Sequence, residues 1–72
     1  MPKKIRELKK MLKKAGFSQR PGKGSHTNWT HPLYSGRITI SGKDSQDAKP
    51  YQESEIIEAI EIVKEIENEQ NE

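Results

Sequence analysis

Cysteine is absent from this 72-residue chain, so neither a disulfide nor a thiolate metal site can hold it together. Aromatic residues are few: one Trp, one Phe and two Tyr. Only 29% of residues are hydrophobic and the mean hydropathy is −1.07, so the apolar side chains must gather on a few faces. No apolar stretch approaches the roughly 18 residues of a membrane span. The opening "MPKKIRELKK" lacks the apolar run of a secretory signal. The length leaves room for one core. The expectation is one soluble, cytoplasmic domain over residues 1–67, with a frayed acidic tail at 68–72.

What the chain has in abundance is charge, unevenly spread. Residues 1–50 carry twelve Lys/Arg against Glu7, Asp44 and Asp47, a net +9. Residues 51–72 carry eight glutamates against Lys64 alone, a net −7, which leaves +2 for the whole. A body of +9 attracts polyanions over a Debye length of about 8 Å in physiological salt. The acidic end would repel the same partners or shield the body from them.

Periodicity divides the chain into five elements. Ile5, Leu8, Met11, Leu12 and Ala15 fit an arc of roughly 120° on a helix, opposite Arg6, Lys9, Lys10 and Lys13. Gly16 stands where a left-handed residue closes a helix, with Phe17 able to fold back on Leu12. A short extended run from Phe17 to Arg20 follows, then the turn residues "PGKG" at 21–24. Residues 25–31 alternate as a strand, "HPLYSGR" supplies a second turn, and "RITIS" at 37–41 reads as a third strand. After a polar loop, Pro50 opens a second helix striped by Ile56, Ala59, Ile60, Val63 and Ile66.

Two amphipathic helices need an apolar surface, and one face of a three-stranded antiparallel meander is the only one available. The expected fold is α+β: a two-layer α-β-β-β-α arrangement with both helices on one sheet face. That is the shape of a double-stranded-RNA-binding domain. The other face is left to solvent. With Trp29 in the core, alternation puts Ser25, Thr27 and His31 on its side, and His26, Asn28 and Thr30 on the open side. Inward Ile38 and Ile40 turn Arg37 and Thr39 outward, and a buried Phe17 does the same for Ser18 and Arg20. A one-residue slip would reverse the whole assignment.

His26 thus lies beside a Gly-rich turn, near Arg20, Arg37 and Lys23. An imidazole with a free-solution pKa near ~6.5 exchanges protons at neutral pH. Arginines beside it could hold a phosphate and offset charge developing in a transition state. These groups would suffice to deprotonate a ribose 2′-hydroxyl next to a phosphodiester. Plainer roles stand beside that one. Exposed strand histidines are common, His31 next to Pro32 suits a hydrogen-bonding role, and Trp29 suits the core. The lysines of the first helix suit a solvated face. Ile57 and Ile62 either widen the core contact or mark a partner surface. No Ser-His-Asp pattern and no zinc spacing is present.

"KKIRELKKMLKKAGF", "KGSHTNWTHP" and "RITISGKD" resemble, in order and spacing, the HicA family of mRNA-interferase toxins, from Lys3 to about Val63. The resemblance implies a double-stranded-RNA-binding-like fold and RNA cleavage by the histidine of a Gly-Ser-His motif, which matches His26. It also implies a HicB antitoxin that covers the toxin and masks that histidine. Gly24 and Ser25 match the motif, and His31 and Pro32 match the His-Pro that follows it. Thr27 stands where many relatives have a second histidine, and Asn28 where an aliphatic is frequent. The long acidic final helix replaces a shorter basic one.

The expectations are therefore specific. His26 is the catalytic acid–base group of an endoribonuclease toxin, and Lys23, Gly24, Ser25, Asn28, Arg20 and Arg37 bind RNA. No metal or other cofactor is called for. The partners are mRNA and a HicB-like antitoxin. The alternatives are a non-catalytic RNA-binding module and an antitoxin-binding subunit of the same fold.

Overall fold

Ile5, Leu8 and Leu12 form the buried side of a helix, α1 (Ile5–Lys14), in the computed structural model, which describes residues 2–70 of the chain. The helix closes as its sequence predicts. Gly16 sits at φ +95° and its amide donates to the Lys13 carbonyl, while the Phe17 amide donates to Leu12. This paired bonding is a Schellman motif, and it carries Phe17 into the core beside Leu12.

Three strands follow: β1 (Ser18–Pro21), β2 (Thr27–His31) and β3 (Tyr34–Ile40). They form one antiparallel sheet in the order β1-β2-β3. Trp29 lies opposite Gln19 and Ile38, and Asn28 opposite Arg20 and Thr39. The register therefore agrees with the alternation read from sequence. Trp29, Ile38 and Ile40 are buried, whereas Arg20, Arg37 and Thr39 are exposed. Between Trp29 and His31 the pairing shifts, because two steps along β2 match four along β3. The irregularity spans Ser35, Gly36 and Arg37 of β3, and Gly36 takes φ +89° within it.

The second helix, α2 (Pro50–Gln70), packs Ile56, Ala59 and Val63 into the same core. Gln52 caps its start, supplying the third-residue half of a capping box. The Lys49 amide donates to Gln52 Oε1 at 2.8 Å, and the Gln52 amide donates back to the Lys49 carbonyl. Gln52 Nε2 also donates to the Ser41 carbonyl at 3.2 Å, which ties α2 to the end of β3. Both helices cover the face that carries Trp29, and the opposite face stays open. None of the described helices is long and apolar enough to cross a membrane.

Four boundaries differ from the sequence reading. Pro21 pairs with Thr27 as the last residue of an edge strand, where its missing N–H is tolerated, rather than opening the turn. The second strand begins at Thr27, so Ser25 and His26 lie in the preceding loop. The third strand begins at Tyr34 and ends at Ile40, leaving Ser41 outside it. The last helix runs through Gln70, past the domain edge expected at 67, and residues 71 and 72 fall outside the described residues.

Candidate functional site

The segment Gly22–His26 joins β1 to β2 and is exposed throughout. The His26 amide donates to the Lys23 carbonyl at 3.0 Å, closing a four-residue turn. Gly24 takes φ +60° at the first central position and Ser25 keeps a negative φ, the pattern of a type II′ turn. A side chain at Gly24 would be strained there, so the Gly of the Gly-Ser-His run is required by the backbone. Gly22 is needed for a different reason. A methyl group on it would stand 2.6 Å from the His26 carbonyl oxygen and 3.4 Å from Asn28 Nδ2. The loop is thus drawn in against its own first residue, and His26 is delivered, solvent-exposed, at the rim of the sheet.

Asn28 is the first open-face residue of β2, and its amide is already engaged. Thr39 Oγ1 donates to Asn28 Oδ1 at 2.8 Å across the strands. Arg20 completes that row from β1. Lys23, Gly24, Ser25, His26, Asn28 and Arg20 therefore share one end of the sheet. Arg37 does not. It points from β3 toward the other end, four residue steps or about 13 Å along the strands from the level of His26.

The second histidine is built into the fold. Its ring tilts against Phe17 at 5.0 Å, and its Nδ1 accepts the Leu33 amide at 3.0 Å. That bond leaves the proton on Nε2 of the neutral ring. It also fixes the tight two-residue hairpin between His31 and Tyr34, so the hydrogen-bonding role read from sequence is the one observed. Trp29 is fully buried, and its Nε1 donates to Thr27 Oγ1 at 3.0 Å. It is a core residue, not a stacking platform.

The cations at the start of α1 and along it divide into two groups. Lys4 is held by Asp47 and Lys9 by Asp44, each at 2.6 Å. Lys9, with Arg6 and Lys13 nearby, keeps the Asp44 carboxyl below the usual aspartate range. Arg6, Lys10, Lys13 and Lys14 stay exposed and have no ion pair among the described residues. A hollow of about 490 Å³ lies on this helical side, lined by Met11, Lys14, Ala15, Ile60 and Lys64. It contains none of the expected site residues. Among the described residues, no three His, Asp or Glu side chains gather as metal ligands.

Two residues with a part in this site had no assigned role in the sequence reading, Gly22 and Thr39. The alternation along β3 does place Thr39 outward. Its partner could be known only from the register.

The elements define a small α-β-β-β-α protein with one sheet face uncovered and a histidine carried on a glycine turn at its rim. A family model described as HicA toxin of bacterial toxin-antitoxin matches residues 5–62, and the chain belongs to that family. It is thus a toxin-family protein whose system supplies an antitoxin partner. Neither a curated protein nor a solved structure gives a significant match.

Proposed function

We propose that the chain is an endoribonuclease toxin that cleaves mRNA, with His26 as its acid–base group. The observation that carries the proposal is the presentation of His26: exposed, at the end of a II′ turn, beside Lys23 and the Arg20–Asn28 row. An exposed turn with backbone close to its surface suits a polymer's phosphate better than a small enclosed ligand.

In this reading Lys23 and Arg20 hold the phosphate next to the scissile bond. Arg37 meets a phosphate farther along the strand, and Gly24 and Ser25 let the RNA backbone approach. The His26 imidazole takes the proton of a ribose 2′-hydroxyl. The resulting oxygen attacks the neighbouring phosphorus, the P–O5′ bond breaks, and the leaving oxygen takes up a proton. The products are a 2′,3′-cyclic phosphate end and a 5′-hydroxyl end. The imidazole serves equally as acid toward the leaving oxygen. One such group contributes about 10²–10⁴ in rate, enough for a toxin that need not turn over fast. The scheme calls on no metal or cofactor. The setting is cytoplasmic, and a HicB-like antitoxin restrains the enzyme by covering His26.

The test compares wild type and His26→Ala on one RNA, for cleavage and for affinity. The expected result is cleavage by wild type, at least about 100-fold slower in the variant, with affinity within a few-fold. Wild type that binds but never cuts would leave a non-catalytic RNA-binding module. Wild type that neither binds nor cuts would leave a subunit that serves only to bind its antitoxin.

A further inference from the structure

The loop that carries His26 is exposed from Gly22 onward, so few contacts restrain it. Two are local: the His26 amide bond to the Lys23 carbonyl, and the approach of Gly22 to the His26 carbonyl. A third comes from the sheet. Asn28 Nδ2 lies 3.4 Å from where a Gly22 side chain would begin, so it occupies the space beside Gly22. Asn28 holds that orientation because its other amide atom, Oδ1, accepts the Thr39 hydroxyl at 2.8 Å.

We propose that Thr39 is a positioning residue for His26: by holding the Asn28 amide beside Gly22, it fixes the loop that presents the imidazole. Thr39 makes no hydrogen bond to His26; it lies on the open face between the level of His26 and Arg37. The chain runs from the Thr39 hydroxyl to Asn28 Oδ1 by a hydrogen bond, then from Asn28 Nδ2 to the space beside Gly22, whose backbone lies close to the His26 carbonyl. An asparagine on an open sheet face has a freely turning amide unless something holds it. Without the Thr39 donor, the amide rotates and the support beside Gly22 goes with it. The loop then samples more positions, and the ring spends less time where it can reach a 2′-hydroxyl.

The proposal rests on the reading of His26 as the reacting group, and its test has one arm that does not. Thr39→Val removes the hydroxyl but keeps the β-branched shape suited to a strand. Thr39→Ser keeps the donor. In the first arm both variants and wild type are assayed on a short RNA. The expected outcome is a fall in kcat of about tenfold for Thr39→Val with KM within about twofold, and near-wild-type values for Thr39→Ser. In the second arm, solvent exchange of backbone amides is followed by NMR without RNA. The His26 amide should exchange several-fold faster in Thr39→Val, on the order of threefold or more, and return to wild type in Thr39→Ser.

Amides of Trp29 and Ile38 serve as the internal control, because they report the sheet rather than the loop. If they speed up as much as His26, the hydroxyl acts on general stability and the positioning role is overturned. Unchanged His26 exchange in Thr39→Val overturns it as well. A wild type that does not cleave RNA removes the nuclease reading, and the exchange comparison still decides whether Thr39 holds the loop.

Discussion

At the scale of single residues, the two histidines have separate fates for a physical reason. His31 sits on the core side of β2, where its ring packs on Phe17 and its Nδ1 satisfies the Leu33 amide. His26 is the last residue of a loop that has left the sheet, with its ring in solvent. Replacing His31 by Ala removes a tilted ring contact and strands an amide in a part-buried hairpin. The expected cost is about 1–3 kcal/mol, read from urea unfolding. RNA cleavage per folded molecule should stay within about twofold of wild type, since the proposed chemistry does not use that ring. Both histidines look alike in the string "SHTNWTH". Only the side of the strand, and where the strand begins, tells them apart.

At the scale of elements, the polar loop 42–49 does more than connect β3 to α2. The first amides of α1 need acceptors, and Lys4 offers no side-chain cap. The loop supplies them: Gln46 and Asp44 carbonyls accept the Ile5 and Arg6 amides at 2.9 and 3.2 Å. The Ala48 amide donates back to the Lys3 carbonyl at 2.7 Å. Asp44 also binds the Lys9 ammonium, which lowers its pKa in the folded protein. A carboxyl whose native pKa is depressed adds stability above its unfolded value, and that share is lost as pH falls through the native one. The difference in melting temperature between wild type and Asp44→Asn should therefore be constant well above pH 3.8 and shrink as pH drops through and below it. Melting curves followed by circular dichroism across that range check it. Because the pair is solvent-exposed, the difference should also narrow as salt is added.

At the scale of the whole molecule, charge is divided between layers. Arg20, Lys23 and Arg37 lie on or beside the open sheet face, and Arg6, Lys10, Lys13 and Lys14 lie on exposed α1. Binding to single-stranded RNA should weaken with salt at a logarithmic slope of about −0.7 per phosphate neutralised. Contact through the three sheet cations alone corresponds to a slope of about −2, which is roughly a tenfold to thirtyfold loss between 50 and 200 mM salt. Engagement of α1 as well would steepen it to about −5. Fluorescence anisotropy of a labelled RNA across that range distinguishes these, and a flat profile would remove the cationic face from the mechanism. The acidic face of α2 opposes the same field, so the measured slope belongs to the intact chain.

The sequence by itself determined the helices and the layering. Apolar residues at helical spacing, the Ala-Gly-Phe ending of α1, Pro50 at the start of α2 and Ile38 alternating with Ile40 are local patterns, and local sterics and burial enforce them. It also singled out the "GSH" run, through the glycine-rich turn before His26 and, more strongly, through the family resemblance of that run. The tertiary structure decided what depends on residues distant along the chain. The turn moved to 23–26 because Pro21 found a strand partner in Thr27. The amides of α1 found their acceptors some forty residues away in a loop that reads as mere polar filler. The hydrogen bond from Thr39 to Asn28 exists only because the register sets them opposite each other. Such contacts leave no periodic trace, since each depends on where two separate segments meet once the core has closed.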